Sequence, residues 1–289
     1  MAKNFFTGFY NIGTIQKRGF MQILPINYNI YSQNLCSGKQ KATDINFCHH
    51  PDFIALEKSY DVIASNYFRR GAYYDCVSKD FIDVIKSLKL FFNKTINPET
   101  EKRNMLIGGI AESQEPFSIL ASVKSLIGKK KIKDVLDLYI IDLQSKPDDK
   151  KLFLQSFYDA NGIPDFVPES FVREDKTKYG YKYWHRYRVQ DEIYEYLCSV
   201  YNNPQKAKWE MRIQDEMNKY PDKSFDVISM NNTVIYIMDY NKRMQTLQNI
   251  YDKLKPNGIF ITDSYMTEFQ EVFSSDVCNE IYKGIYRKK

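Results

Sequence analysis

The stretch "KSFDVISMNNTVIYIMDYNKRMQTLQNIYDKLKPNGIFI", residues 223–261, decides the fold. Its apolar run Phe225–Ile228 reads as a short buried strand, opened by Asp226. Asn231-Asn232 stand at the end of that strand, and Tyr236 follows one turn on. The spacing predicts a helix over 241–254. Lys255-Pro256-Asn257-Gly258 then forms a turn that feeds a strand over 258–262. A strand, a helix and a second strand in this order make one unit of a parallel sheet covered by helices.

The same alternation extends toward the N-terminus. Met105–Ile107 reads as a buried strand, Pro116–Leu126 as a helix with proline near its first turn, and Leu138–Ile141 as a strand ending at Asp142. Lys150–Tyr158 and Lys206–Tyr220 read as helical, and Glu192–Val200 is apolar and aromatic. Strands and loops fit Gly162–Tyr187 equally well. From Pro51 to Asn93 the period is helical, with Phe81, Val84, Ile85, Leu88 and Phe92 spaced by three and four. Asn97-Pro98 ends that part as a linker. Residues 1–50, broken by Gly8, Gly13, Pro25 and Gly38, read as an arm packed on the body. The expected organisation is an N-terminal arm (1–50), a small helical subdomain (51–97) and an α/β domain with a Rossmann-like parallel sheet flanked by helices (98–289).

The chain of 289 residues is 43% hydrophobic and 15% aromatic, which excludes wholesale disorder. No apolar run reaches the length of a membrane span, so no membrane insertion is expected. No secretory signal is legible either, and the expected location is the cytoplasm. Five scattered cysteines fit reduced thiols better than a disulfide framework. A net charge of +5 without a concentrated basic stripe gives no nucleic-acid footprint. Cys36, Cys48, His49 and His50 make a poor metal site, because three consecutive residues do not converge on one ion. His185, among Tyr183, Trp184 and Tyr187, reads as packed or solvated rather than as a base.

In an open parallel sheet a ligand lies outside the carboxyl ends of the strands. Three stretches reach that rim. The first is "IGGIAESQEPFSIL", residues 107–120, laid out as strand, tight turn and helix. Gly109 allows close backbone approach, and the following helix aims free N–H groups at the turn, although the stretch taken alone reads as an ordinary strand–helix connection. Neither G-x-G-x-x-G nor G-x-x-x-x-G-K-[ST] can be read there. Glu112 and Glu115 disfavour a pyrophosphate, so a neutral or cationic ligand group fits better. The second is Asp142, where one carboxylate could accept from two ribose hydroxyls or simply be a solvated loop acid. The third is the stretch after Phe225.

Together these residues resemble class I S-adenosylmethionine-dependent methyltransferases. More narrowly they are similar to the chemotaxis-receptor glutamate methyltransferases (CheR type). That family carries F-D-x-I-x-C-R-N-V-x-I-Y-F followed by L-L-K-P-G-G, against "FDVISMNNTVIYI" and "LQNIYDKLKPNGIFI". Its glycine turn reads G-C-S-T-G-E-E-P-Y-S, against "GIAESQEPFS" at 109–118. The resemblance implies that the turn, with Gly109, Ala111, Glu112 and Gln114, holds the methionine end of S-adenosylmethionine. It implies that Asp142, in "IDLQ" against T-D-I-D, grips the ribose, and that Asn231 and Asn232 face the cofactor. "NYFRRGAYY", residues 66–74, is similar to T-x-F-F-R-x-x-x-x-F, which makes Arg69 the arginine that reaches the active site. "YRVQDEIYEYLCSVYN", residues 187–202, resembles the strand pair before an adenine-contacting N-L and points to Asn202. The likeness covers about residues 60–265.

The sequence departs from the family at Ser113 (second glycine), Gln114 (first Glu) and Asn231 (Arg). What the resemblance implies is methyl transfer to a glutamate carboxylate of a protein. A carboxylate is ionised at pH 7 and needs no general base, only alignment and desolvation. Arg69 would orient it, and Tyr236 would line the transfer site. The departures leave two alternatives: a non-catalytic CheR-like binding module, or a small-molecule methyltransferase.

Overall fold

The computed structural model describes residues 81–110, 113–147, 190–231, 233–262 and 267–289, and the backbone of strands at 14–17, 20–23, 157–159, 171–179 and 182–189. In chain order the elements are β1 (Thr14–Lys17), β2 (Phe20–Ile23), α1 (Phe81–Leu88), β3 (Arg103–Gly108), α2 (Gln114–Ile127), α3 (Ile132–Val135) and β4 (Leu136–Ile141). There follow β5 (Phe157–Asp159), β6 (Phe171–Tyr179), β7 (Lys182–Val189), α4 (Asp191–Tyr201), β8 (Ala207–Lys208), α5 (Ile213–Met217) and β9 (Phe225–Ser229). A 3-10 turn (Val234–Tyr236), α6 (Tyr240–Lys253), β10 (Leu254–Ile261), α7 (Thr267–Val272), β11 (Cys278–Tyr282) and β12 (Ile285–Lys288) complete the chain.

The seven-stranded sheet runs β11-β12-β10-β9-β3-β4-β8. Its five strands from β10 to β8 are mutually parallel, and β12 is antiparallel to both β10 and β11. Alternation of side chains along the strands sorts the core into two layers. Met105, Ile107, Leu138, Ile140 and Val227 face one way and pack with α1, α2 and α4. Leu106, Ile141, Ile228 and Phe260 face the other and pack with α5, α6 and α7. Helices on both faces explain why β3 reads as an unbroken apolar run, with Met105, Leu106 and Ile107 all fully buried.

The predicted helical period at 81–92 is present: Phe81, Val84, Leu88 and Phe92 are buried, in the same core layer as Phe117 and Leu120 of α2. Several expectations are corrected. Tyr158, expected in a helix, lies in β5, which with β6 and β7 makes a separate three-stranded antiparallel sheet. The helix expected over 206–220 is only α5. Before it, Ala207 is drawn into the sheet beside Ile140, and Glu210 turns the chain at φ 58. Residues 191–201 form helix α4 rather than a strand, since Ile193, Tyr196, Leu197, Val200 and Tyr201 bury one helical face. Residues 14–17 and 20–23 pair as a hairpin within the expected arm. The C-terminal pair β11–β12 was not foreseen, and it makes the sheet mixed. No helix among the described residues is long and apolar enough to cross a membrane.

Candidate functional site

The rim is built where β3, β4 and β9 end side by side. β3 closes at Gly108, and Gly109 takes φ 69. Its amide donates to Ile141 O at 2.9 Å. A Cβ there would stand 2.3 Å from Thr233 Oγ1 and 2.6 Å from its Cγ2, so only glycine fits on grounds of both conformation and space. The chain then reaches Ser113, buried and also left-handed at φ 73, before α2 begins at Gln114. A serine in this conformation costs on the order of 1 kcal/mol or more relative to glycine. The place where the resembled family has its second glycine therefore keeps the glycine-type backbone.

Asp142 follows β4 directly and is 3% exposed. Its Oδ2 accepts from the Ile110 amide at 2.6 Å and its Oδ1 from the Gln144 amide at 2.6 Å. The carboxylate thus ties the first rim turn to its own loop. The Asp142 carbonyl accepts from the Met211 amide at 3.0 Å and extends the tie to the loop after β8.

On the other flank, β9 delivers Ser229, Met230 and Asn231. Ser229 Oγ donates to Glu115 Oε1 at 2.6 Å, which binds β9 to the first turn of α2. Glu115, read from the sequence as an acid facing the ligand turn, is 8% exposed and takes part in this packing contact. The Asn231 Oδ1 atom is buried and has no hydrogen-bond partner among the described residues. Thr233 Oγ1 lies 3.0 Å from Gly108 O and 2.9 Å from Asn231 O, one proton serving the two carbonyls. Tyr236 ends the 3-10 turn, its amide donating to Thr233 O at 3.3 Å.

The fold therefore brings Gly109, Gln114, Asp142, Asn231 and Tyr236 to one edge of the sheet. Asn202 follows α4; it is exposed, and its amide nitrogen donates to Cys198 O at 2.9 Å while Lys146 donates to its oxygen. Of the stretch at 187–202 read as a strand pair, residues 187–189 end β7 and residues 191–201 form α4, so a helix and not a strand leads into Asn202. Arg69, Ala111, Glu112 and Asn232 lie outside the described residues.

Sequence reasoning missed Thr233 and Tyr201. Thr233 stands at the valine of the R-N-V-x-I-Y-F pattern, and a polar residue there was the available signal. Tyr201 Oη donates to Ser113 Oγ at 2.9 Å, and nothing in the local sequence foretells that contact.

The opposite edge holds charge of a different kind. Asp226, 4% exposed, accepts from the Asn104 amide at 2.9 Å and from Lys255 at 2.7 Å, with Arg103 at 3.6 Å. It is a structural cluster remote from the rim.

Among solved structures, the chain is similar to a putative sarcosine dimethylglycine methyltransferase from Galdieria sulphuraria, with 10% identity, a TM-score of 0.30, and coverage of 63% of this chain and 44% of that one. It is similar to the DszA carbon methyltransferase at 16% identity and TM-score 0.35, covering 66% and 37%. It is also similar to the trans-methyltransferase CalH in complex with SAH at 12% identity and TM-score 0.32, covering 65% and 40%. The chain thus spans less than half the length of each. No protein of curated function matches the chain in sequence. A family model described as a methyltransferase domain matches residues 192–262, from the first turn of α4 to the residue after β10. Taken with the strand order and the helices on both faces, the match identifies the fold as the Rossmann-like fold of the class I methyltransferases.

Proposed function

We propose that this chain is an S-adenosylmethionine-dependent methyltransferase whose acceptor is a side-chain carboxylate of a protein, acting in the cytosol. The observation that carries the reading is the convergence of three turns, after β3, β4 and β9, on adjacent strands at one rim. A buried acceptor without a partner among the described residues, Asn231 Oδ1, suits the ammonium or hydroxyl donors of such a cofactor. Asp142, which accepts the Ile110 and Gln144 amides, stands between the first two rim turns. The 109–114 turn would hold the methionine end, Asp142 the ribose and Asn231 a donor group. When bound, the cofactor supplies an electrophilic methyl group on a sulfonium.

The work left to the protein is alignment of an acceptor that is already anionic and removal of its water. Arg69 would orient the carboxylate as a bidentate fork, and Tyr236 would line its approach.

Calorimetry with S-adenosylmethionine and with its demethylated product tests the cofactor assignment. Both should bind. Absence of heat and of any thermal shift at millimolar cofactor would leave the non-catalytic module. Transfer of labelled methyl into protein that is then released by mild base would identify a carboxyl ester. Base-stable label, or label found only in small molecules, would reject the carboxylate acceptor.

A further inference from the structure

We infer that Tyr201 and Thr233 are positioning residues that hold the two ends of the first rim turn, Ser113 and Gly108-Gly109, in place for binding, doing by contact what a second glycine would do by conformational freedom. The inference rests on the reading of that turn as a cofactor site. Ser113 sits at φ 73 with no exposed surface, a conformation that a serine leaves unless something holds it. Tyr201 grips it from one side through the 2.9 Å hydrogen bond to Ser113 Oγ. Tyr201 is itself fixed. It ends α4, is 2% exposed, and its ring meets Trp209 edge-on at 4.9 Å. Trp209 Nε1 also donates to Tyr201 O at 3.2 Å.

Thr233 grips the other side. Its hydroxyl oxygen is 3.0 Å from Gly108 O and is also the side-chain atom nearest the space over Gly109, where a Cβ would stand 2.3 Å from it. Each grip comes from a different element, α4 on one flank and the loop after β9 on the other. A turn that spends less time in the binding shape lowers apparent affinity by that fraction. Loosening either grip therefore weakens cofactor binding without touching the transfer step.

The test uses the full chain and four variants: Tyr201→Phe, Thr233→Val, Thr233→Ser and the double change Tyr201→Phe with Ser113→Gly. Amide hydrogen exchange over residues 107–120 is read without ligand, and cofactor Kd and kcat at saturating cofactor are read beside it. Tyr201→Phe and Thr233→Val should each speed exchange in the turn and raise Kd about tenfold, with kcat nearly unchanged and the unfolding midpoint lowered only as far as the loss of one buried hydrogen bond requires. Thr233→Ser, which keeps the hydroxyl, should stay near the parent. Ser113→Gly should restore Kd in the Tyr201→Phe background, because glycine needs no hold. Unchanged exchange in both hydroxyl deletions, or failure of glycine to restore Kd, overturns the inference. If the parent binds no cofactor, the functional reading fails, while exchange in the four variants still decides whether the turn is held this way.

Discussion

At the scale of single residues, Asp142 serves the fold before it serves any ligand. Asp142→Asn keeps the volume but replaces one acceptor oxygen with an amide that faces the Ile110 or Gln144 N–H. Leaving a buried backbone donor unmet costs roughly 1–3 kcal/mol, so the urea midpoint should fall and cofactor affinity with it. A variant with parental stability and affinity would make Asp142 no more than the end of a strand. Tyr220 presents the opposite case. Its ring packs edge-on against Tyr139 and Phe225, but its hydroxyl has no partner among the described residues. Burial pushes that phenol up to about 12. Tyr220→Phe should leave stability unchanged or raise it by up to about 1 kcal/mol, since the hydroxyl is desolvated without compensation. A clear loss in chemical denaturation would count against this account. Gly109, Asp142, Asn231 and Tyr236 were legible in the sequence because position at a strand end is a local property. Tyr201 and Thr233 were not, since their contacts span 88 and 125 residues.

At the scale of elements, Arg243 links three pieces of the rim's outer flank. Its Nε and Nη2 donate to Glu268 of α7 at 3.1 and 2.5 Å, and its Nη1 donates to Ile237 O at 2.7 Å, just beyond the 3-10 turn. Burial alone would push the Glu268 carboxyl up; hydrogen bonds from its own backbone amide and from Arg243 outweigh that and hold it below the usual range. Asp137 behaves alike. Burial raises it, and Lys206 and Lys102 bring it down further. A carboxyl depressed in the folded state adds stability that is present above its unfolded value, near 4, and is lost as pH falls through the folded value. The unfolding midpoint should therefore hold from neutrality to about pH 5 and drop below about pH 4. Glu268→Gln should reduce stability at pH 7 and flatten that acid decline. An unchanged pH profile in the variant would remove Glu268 from the account. Elements whose own side chains set their period, such as β3, α2, β9 and α6, could be read in advance. β8 could not, because it is two residues paired by backbone to Ile140 and Ile141. β11 and β12 escaped too: β11 is an antiparallel edge with few buried residues, and β12, though mostly buried, is four residues of which two are charged.

At the scale of the whole molecule, the strand order places β3 at the centre of the five parallel strands, with β4 on one side and β9 on the other. One neighbour is close in sequence. The other is distant: the Asn104 amide meets the Asp226 carboxylate across 122 residues. The three turns of the rim therefore exist as a site only after this long closure, which is intrinsically slow to form. During synthesis the far edge of β3, with Met105, Leu106 and Ile107 fully buried in the finished sheet, has no partner until β9 is made. At ribosomal speeds of about 5–20 residues per second, the 122-residue gap leaves that apolar edge bare for roughly 6–25 s. The yield of the chain on overexpression should therefore be set by translation rate and temperature more than by the stability of the finished fold.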